Sequence, residues 1–466
     1  DVLEACGGFD GGLGAYDYEV YELSLRLWRL GERVAVAREA SVSCPRPVRD
    51  LDGGELDWGR FAHELFRLAT IHLSEGRIVP LIDGMRQRPG AGAALAGVLV
   101  SDAPKRRAEL VAAQAPLADG LLDGNSAPAA AVADVSAETW RPPAPAGASA
   151  VADVSAETWR PSRVPVSLVL TGLVTAEVEA RVADLAAGLG PGAEVVTATS
   201  RAAGGRVARG EVLLFASLEA LPEVEVARQL LATVRAEPDR GTDRSGGPAR
   251  AAGPAVRVAG QADRLLGGVT VQRRLLDARW LPAPDRTGPV PFLSGVCTTV
   301  MRARYEELGG YDEALEGTGL EDVELSLRWW RSGGSCLIVP GAVVEVCGSW
   351  LWAGRRQWDD ELFGLLRLAA LHLEAADHAG VIERVSMWRG FPSAVARVAS
   401  GDVGVRRAAI DRGSLEGAGP VLRRLCGEAL FERSEPAESA SAEGDTPPAA
   451  GAPLSGAGAA VHAAQS

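Results

Sequence analysis

The chain has 466 residues and a mass of 48.5 kDa, room for two to three domains of ordinary size. Apolar residues make up 47% and charged residues 23%, which excludes wholesale disorder, while 55 Gly and 28 Pro predict several loop-rich stretches. The net charge of −13, with Lys105 the one lysine, makes the chain a poor general binder of nucleic acid or anionic membranes and leaves room only for local basic patches.

In chain order, residues 1–115 form a first unit that opens on GGFDGGLGAYDYEVYELSLR (7–26). Asp1-Val2-Leu3-Glu4 reads as the end of a helix, so this unit is expected to be a fragment of a longer one, and an upstream segment could carry a targeting signal. Residues 58–90 read as amphipathic helices and 95–113 as further helix. Residues 116–163 are a Pro/Ala-rich linker, expected to be extended and solvated. It holds AVADVSAETWRP twice, at 131–142 and 150–161, a pattern more consistent with gene slippage than with a binding device.

A second unit spans 164–350. Val164–Thr171 is a β-branched run, 176–188 places Val178, Val182 and Leu185 at helical spacing, and 193–197 is a second strand. Residues 210–215 give a third strand and 222–235 a further helix. Strands alternating with helices imply an α/β fold with a mostly parallel sheet covered on both faces. Ligands bind such sheets beyond the carboxyl ends of the strands, here the loops after Leu170, Val196 and Phe215. A helical extension follows over 351–432, with helices expected at 358–390 and 392–413, and 433–466 is too polar and small-residue-rich to build a core.

The two units repeat each other. Residues 309–328 read GGYDEALEGTGLEDVELSLR, matching 7–26 at an offset of 302. Further on, Trp58, Arg67-Leu68-Ala69, His72-Leu73 and Arg106-Arg107-Ala108 match Trp358, Arg367-Leu368-Ala369, His372-Leu373 and Arg406-Arg407-Ala408 at an offset of 300. One register held over about a hundred residues marks a duplicated unit of domain size.

The stretch PFLSGVCTTVMRARYEELGGYDEALEGTGLEDVELSLRWWRSGGSCLIVPGAVVEVCG (291–348) resembles the acceptor-side half of GT-A nucleotide-sugar glycosyltransferases. It is similar to glycosyltransferase family 2 and the related polypeptide N-acetylgalactosaminyltransferases. The shared frame is a Ser-Gly turn, a helix, GG[FY]DE, a Gly-rich loop, ED.ELS.R.W and a strand ending in Pro. With the upstream strands the resemblance covers about 164–350, while the first unit repeats only its last part. It implies a GT-A fold with helical extensions, preceded by a partial second copy. It also implies a nucleotide-sugar donor, with a glycan, lipid or protein as the unknown acceptor.

Such transfer needs the departing diphosphate neutralised, the sugar oriented and, in inverting enzymes, a carboxylate to take the acceptor's proton. The resemblance implies that the base is Asp of the Glu321-Asp322 pair; acids in a first helical turn are also favourable against the macrodipole alone. The aligned pair in the first unit is Glu19-Val20, so that unit is expected not to catalyse. On the donor side, relatives hold Mn²⁺ or Mg²⁺ with Asp-x-Asp after the third strand, where this chain has Ser217 and Glu219. Glu219 could still ligate a divalent cation. A third ligand, His in the relatives, falls at Val346 and at Cys44.

The base-gripping acid after the second strand is replaced by Thr197, and Gly295 of the Ser294-Gly295 turn completes the expected donor set. Three polar losses together imply weakened or absent donor turnover. Trp329 is a candidate to stack on an acceptor sugar, whereas Trp330, twinned by Trp28, reads as structural, as do His72 and His372. The cluster Trp350, Trp352 and Trp358 with Arg355-Arg356 is either a lid over the donor or a packed hinge. Cys6, Cys44, Cys297, Cys336, Cys347 and Cys426 lack CxxC spacing, which fits a reducing, cytoplasmic setting, and no apolar run is long enough to span a membrane.

Overall fold

The computed structural model describes residues 7–13, 18–32, 57–113, 115–119, 165–172, 175–236, 249–261, 264–272, 277–347 and 358–427. The expectations for residues 1–6, Cys44, the duplicated 12-mer, Trp350, Trp352, Arg355-Arg356 and the tail lie outside them, as does the Trp358 side chain. Contacts group residues 1–431 into one body, apart from 432–466.

The α/β unit is a single nine-stranded sheet: β1 (Val166–Thr171), β2 (Glu194–Ala198), β3 (Val212–Ser217), β4 (Arg250–Val258), β5 (Leu265–Gln272), β6 (Asp277–Pro282), β7 (Gly288–Pro289), β8 (Cys297–Met301) and β9 (Ser335–Val346). Its order is β2-β1-β3-β8-β4-β5-β6, with β9 beside β4 and β7 beside β9. β1, β2, β3, β4, β6 and β9 point one way; β5, β7 and β8 run against them. The sheet is therefore mostly parallel in direction, as the alternating pattern predicts. The first three strands and the helices expected at 176–188 and 222–235 fall within two residues of their expected bounds, and a short helix at Arg201–Val207 is additional. β4 to β7 went unforeseen, because their Gly- and Pro-interrupted sequence has no clean period, and β8 stands between the Ser-Gly turn and the helix expected to follow it.

Both faces are covered. On β3, Val212, Leu214 and Ala216 pack under α6 (Ala176–Leu189) and α8 (Val224–Arg235) through Leu185, Val226 and Leu230. Leu213 and Phe215 face the opposite core with Ala202 of α7 (Arg201–Val207), Tyr305 of α9 (Arg302–Glu307), and Leu325 and Trp329 of α10 (Glu321–Arg331). The strand period of two sorts these side chains into two cores.

The helical parts repeat. α1 (Tyr18–Arg29) precedes α2 (Trp58–His72), α3 (Glu75–Met85), α4 (Ala91–Val100) and α5 (Ala103–Ala112). After the sheet come α11 (Trp358–His372), α12 (Ala375–Val385), α13 (Phe391–Ser400) and α14 (Val403–Arg412), each displaced by 300 residues, and then α15 (Ala418–Cys426). Each expected pair of long helices is thus four shorter ones. Ser74 and Glu374 adopt extended backbone, with ψ of 163° and 159°, and Gly90 and Gly390 take φ of +77° and +82°; both conformations end a helical run.

The same polar contacts recur in both halves. Arg67 forks onto Asp10 at 2.7 and 2.9 Å and reaches Asp102; Arg367 forks onto Asp312 at 2.8 and 3.0 Å and reaches Asp402. His72 Nε2 lies 3.2 Å from Glu22, and His372 Nε2 lies 3.2 Å from Glu324. Both histidines are buried and structural, as expected. These bonds clip α1 and α10 to their own helical extensions.

Candidate active site

Register brings the expected donor residues to one edge. Thr197 pairs with Leu170 and Ser217 with Thr171, which places both at the carboxyl ends of their parallel strands. β8 pairs antiparallel with β3, Cys297 opposite Ala216 and Thr298 opposite Phe215, so Gly295 enters at that same edge. Gly295 needs its φ of +75°, and its missing side chain leaves the space that the Asp322 carboxylate occupies.

Asp322 and Glu321 begin α10 and are buried, facing inward. Neither oxygen of Asp322 is idle. Oδ2 is bound by the Arg201 guanidinium, whose second nitrogen donates to the Gly295 carbonyl. Oδ1 accepts from the Tyr311 hydroxyl at 2.8 Å and faces the Thr298 hydroxyl at 3.4 Å. Burial opposes the charge on Arg201, but Asp322, Tyr311 and Glu321 outweigh it and hold its pKa above the ordinary value. Burial also raises the Tyr311 phenol well above its usual range, aided by Asp322, and pushes the Cys297 thiol up to about 12. Arg201, Tyr311 and Thr298 were not foreseen; the clue was Arg201 directly after the turn at the end of β2.

The remaining expected residues are placed differently. Thr197 is exposed on β2, at the sheet's margin. Ser217 caps the next turn, its hydroxyl accepting from the Glu219 amide at 3.3 Å, and Glu219 is exposed. One exposed carboxylate beside a hydroxyl committed to a turn does not make a donor set for a hard cation, and no group of three His, Cys, Asp or Glu suited to a metal occurs among the described residues. Val346 is a buried core residue.

Trp329 corrects the acceptor expectation. It is fully buried and its indole N–H donates to the Ala249 carbonyl at 2.9 Å, so no ring face is left for a sugar. Trp330, half-buried, donates to the Pro291 carbonyl at 2.9 Å and is structural.

The crevice bordered by Thr298, Asp322, Ser326 and Trp329 has no room for a water-sized molecule. A larger cavity of about 660 Å³ lies among Arg206, Tyr305, Gly310, Asp312, Glu313 and Arg406; neither Asp322 nor Glu219 lines it. No helix among the described residues is long and apolar enough to cross a membrane.

No family model matches the chain. It is similar to polypeptide N-acetylgalactosaminyltransferase 13 of Homo sapiens, 39% identical over 75 aligned residues, and the match covers 14% of this chain and 14% of that protein. It is likewise similar to polypeptide N-acetylgalactosaminyltransferase 8 of Drosophila melanogaster, 42% identical over 60 residues, covering 13% of this chain and 10% of the relative. The match thus spans only about a tenth to a seventh of these relatives' length. Among solved structures, GalNAc-T7 with UDP, GalNAc and Mn2+ aligns at a TM-score of 0.39 and 15% identity, covering 56% of each chain. The mannosyltransferase PcManGT from Pyrobaculum calidifontis, in complex with GDP-Man and Mn2+, aligns at 0.29 and 14%, covering 57% of this chain and 80% of that one. The 165–347 unit is thus a mixed α/β unit on one mostly parallel sheet, and over 60–75 residues the chain is similar to the polypeptide N-acetylgalactosaminyltransferases.

Proposed function

We propose that this protein is a glycosyltransferase-like module in which 165–347 keeps the frame of a nucleotide-sugar transferase while sugar transfer is lost, leaving a binding or scaffolding role toward a nucleotide sugar or glycan. One observation carries this reading: both oxygens of Asp322 are already engaged, by Arg201 and by Tyr311. To hand its proton to this carboxylate, an acceptor hydroxyl would have to reach it past those donors, through a crevice with no room for a water-sized molecule. The absence of a second carboxylate beside Glu219 and the burial of Trp329 point the same way. The first unit, ending at 115, is on this reading the acceptor-side half of a second such domain. The cytoplasmic setting belongs to the same proposal.

A second reading, slow transfer from a nucleotide sugar, is favoured by Asp322 itself, which points inward at the carboxyl edge of the sheet. The two separate in one assay. The protein is incubated with UDP-, GDP- and dTDP-sugars, with and without Mn²⁺, and nucleotide release is followed. The expected result is release no faster than in buffer. A donor bound at 100 times its dissociation constant would still stabilise the fold by about 2.7 kcal/mol, visible as a raised Tm. Turnover that disappears in folded Asp322→Asn would overturn the first reading and establish the second.

A further inference from the structure

The two helical extensions meet as the halves of a two-fold dimer meet. α3 packs on α13, and α12 packs on α4: these are reciprocal pairs, since α13 is the counterpart of α3's neighbour α4, and α12 is the counterpart of α3. α5 packs on its own counterpart, α14. Two contacts mark the axis itself. Arg86 donates to the carbonyl of Ser386, the residue 300 positions on, at 3.0 Å. Gly404 sits against Pro104, also 300 positions away, so closely that a Cβ there would run into the Lys105 amide nitrogen. Ile78, Ile82, Leu95 and Leu99 share one core with Val381, Ile382, Val395 and Val398, all buried. A face that meets an equivalent face through reciprocal contacts is isologous.

We propose that this bundle is a self-association surface on which a second copy of the chain can be seated by exchange: 58–112 of one molecule packs on 358–412 of another, and the converse. The proposal is independent of the reading of Asp322. Exchange keeps every interface contact and alters only the path of the chain through 120–164. The balance between closed monomer and exchanged dimer is therefore set by concentration against the effective concentration that the linker imposes, on the order of millimolar for a flexible tether. With its natural length the linker favours the monomer at micromolar concentration; a linker too short to fold back removes the monomer.

The test uses two differently tagged full-length chains, unfolded in urea together and refolded over a hundredfold range of concentration. Tag co-purification and light scattering report mixed species of twice the mass. The expected dimer-to-monomer ratio rises about tenfold for each tenfold rise in concentration. Replacing 120–164 by four residues is expected to give a dimer already at micromolar concentration, with the Tm of the natural chain. A short-linker chain that refolds as a monomer with that same Tm would overturn the proposal. If the short-linker chain does not refold, the natural chains decide: no mixed dimer at the highest concentration also overturns it.

Discussion

α1 and α10 carry the same string, ELSLR, at 22–26 and 324–328, and they share one set of clips but not one environment. Ten of eleven residues of α10 are buried, because the sheet covers it. In α1 the buried residues are Glu22, Arg26 and Arg29: Glu22 meets His72 and Arg29 donates to the Ile71 carbonyl of the helical extension, while Arg26 binds Glu22 and the Gly8 carbonyl. Val20, in the place of Asp322, is exposed at 54%, and Tyr21, in the place of Val323, at 62%. Present in both environments, Glu22/Glu324, Arg26/Arg328 and Arg29/Arg331 are architectural, whereas the acid at 322 has Val20 in its place.

The harshest way to break the comparison is to remove a clip. Asp312→Ala takes the fork from the buried Arg367, leaving that charge its bond to the exposed Asp402, and is expected to cost about 3 kcal/mol in urea unfolding, the low end for breaking a buried ion pair. Tyr311→Phe tests the site that α1 lacks: it withdraws the hydroxyl from Asp322 and is expected to cost about 1.5–3 kcal/mol, the range for hydrogen bonds to charged groups.

A third substitution restores symmetry. His378 is fully buried with neither ring nitrogen hydrogen-bonded, where the first half has Ile78. His378→Ile is expected to stabilise the protein by about 1–3 kcal/mol at pH 7.5. Burial, with Arg407 adding to it, lowers the His378 pKa to about 3, and burial lowers His372 to about 4 despite Glu324. An unfolded histidine binds its proton near pH 6.5, so the unfolded state takes up more protons below that value and stability falls as the pH drops from 6.5 toward 4. At pH 5 this costs about 2 kcal/mol for His378, and the gain from His378→Ile should grow by that amount. A gain independent of pH would remove histidine titration as the cause. The smallest effect is expected from Val20→Asp, which restores the acid on exposed α1: within about 0.5 kcal/mol, and no sugar transfer.

β1 and β3 were legible because burial on both faces writes continuous apolar runs, α6 through its helical spacing, and the repeated extension because its register never slips over 58–112 and 358–412. The motif string located Asp322 but not its partners. Arg201 lies 121 residues upstream of Asp322, and Tyr311 stood inside a motif without any sign of which way its hydroxyl points. Trp329 misled for a related reason: an indole near a site reads as a sugar platform, and only packing shows that its N–H is spent on Ala249. Glu219 had the right chemistry, but a three-residue turn capped by Ser217 leaves it exposed.

The close approach of Gly404 to Pro104 has an evolutionary consequence. In a dimer of identical chains, whatever sits on the axis meets a copy of itself, and any change is felt twice. Joined in one polypeptide, the two sides are free to specialise, one giving up bulk where the other supplies a ring. At this one contact the two sides fit as unlike halves: a side chain larger than hydrogen at 404 would meet the Pro104–Lys105 backbone.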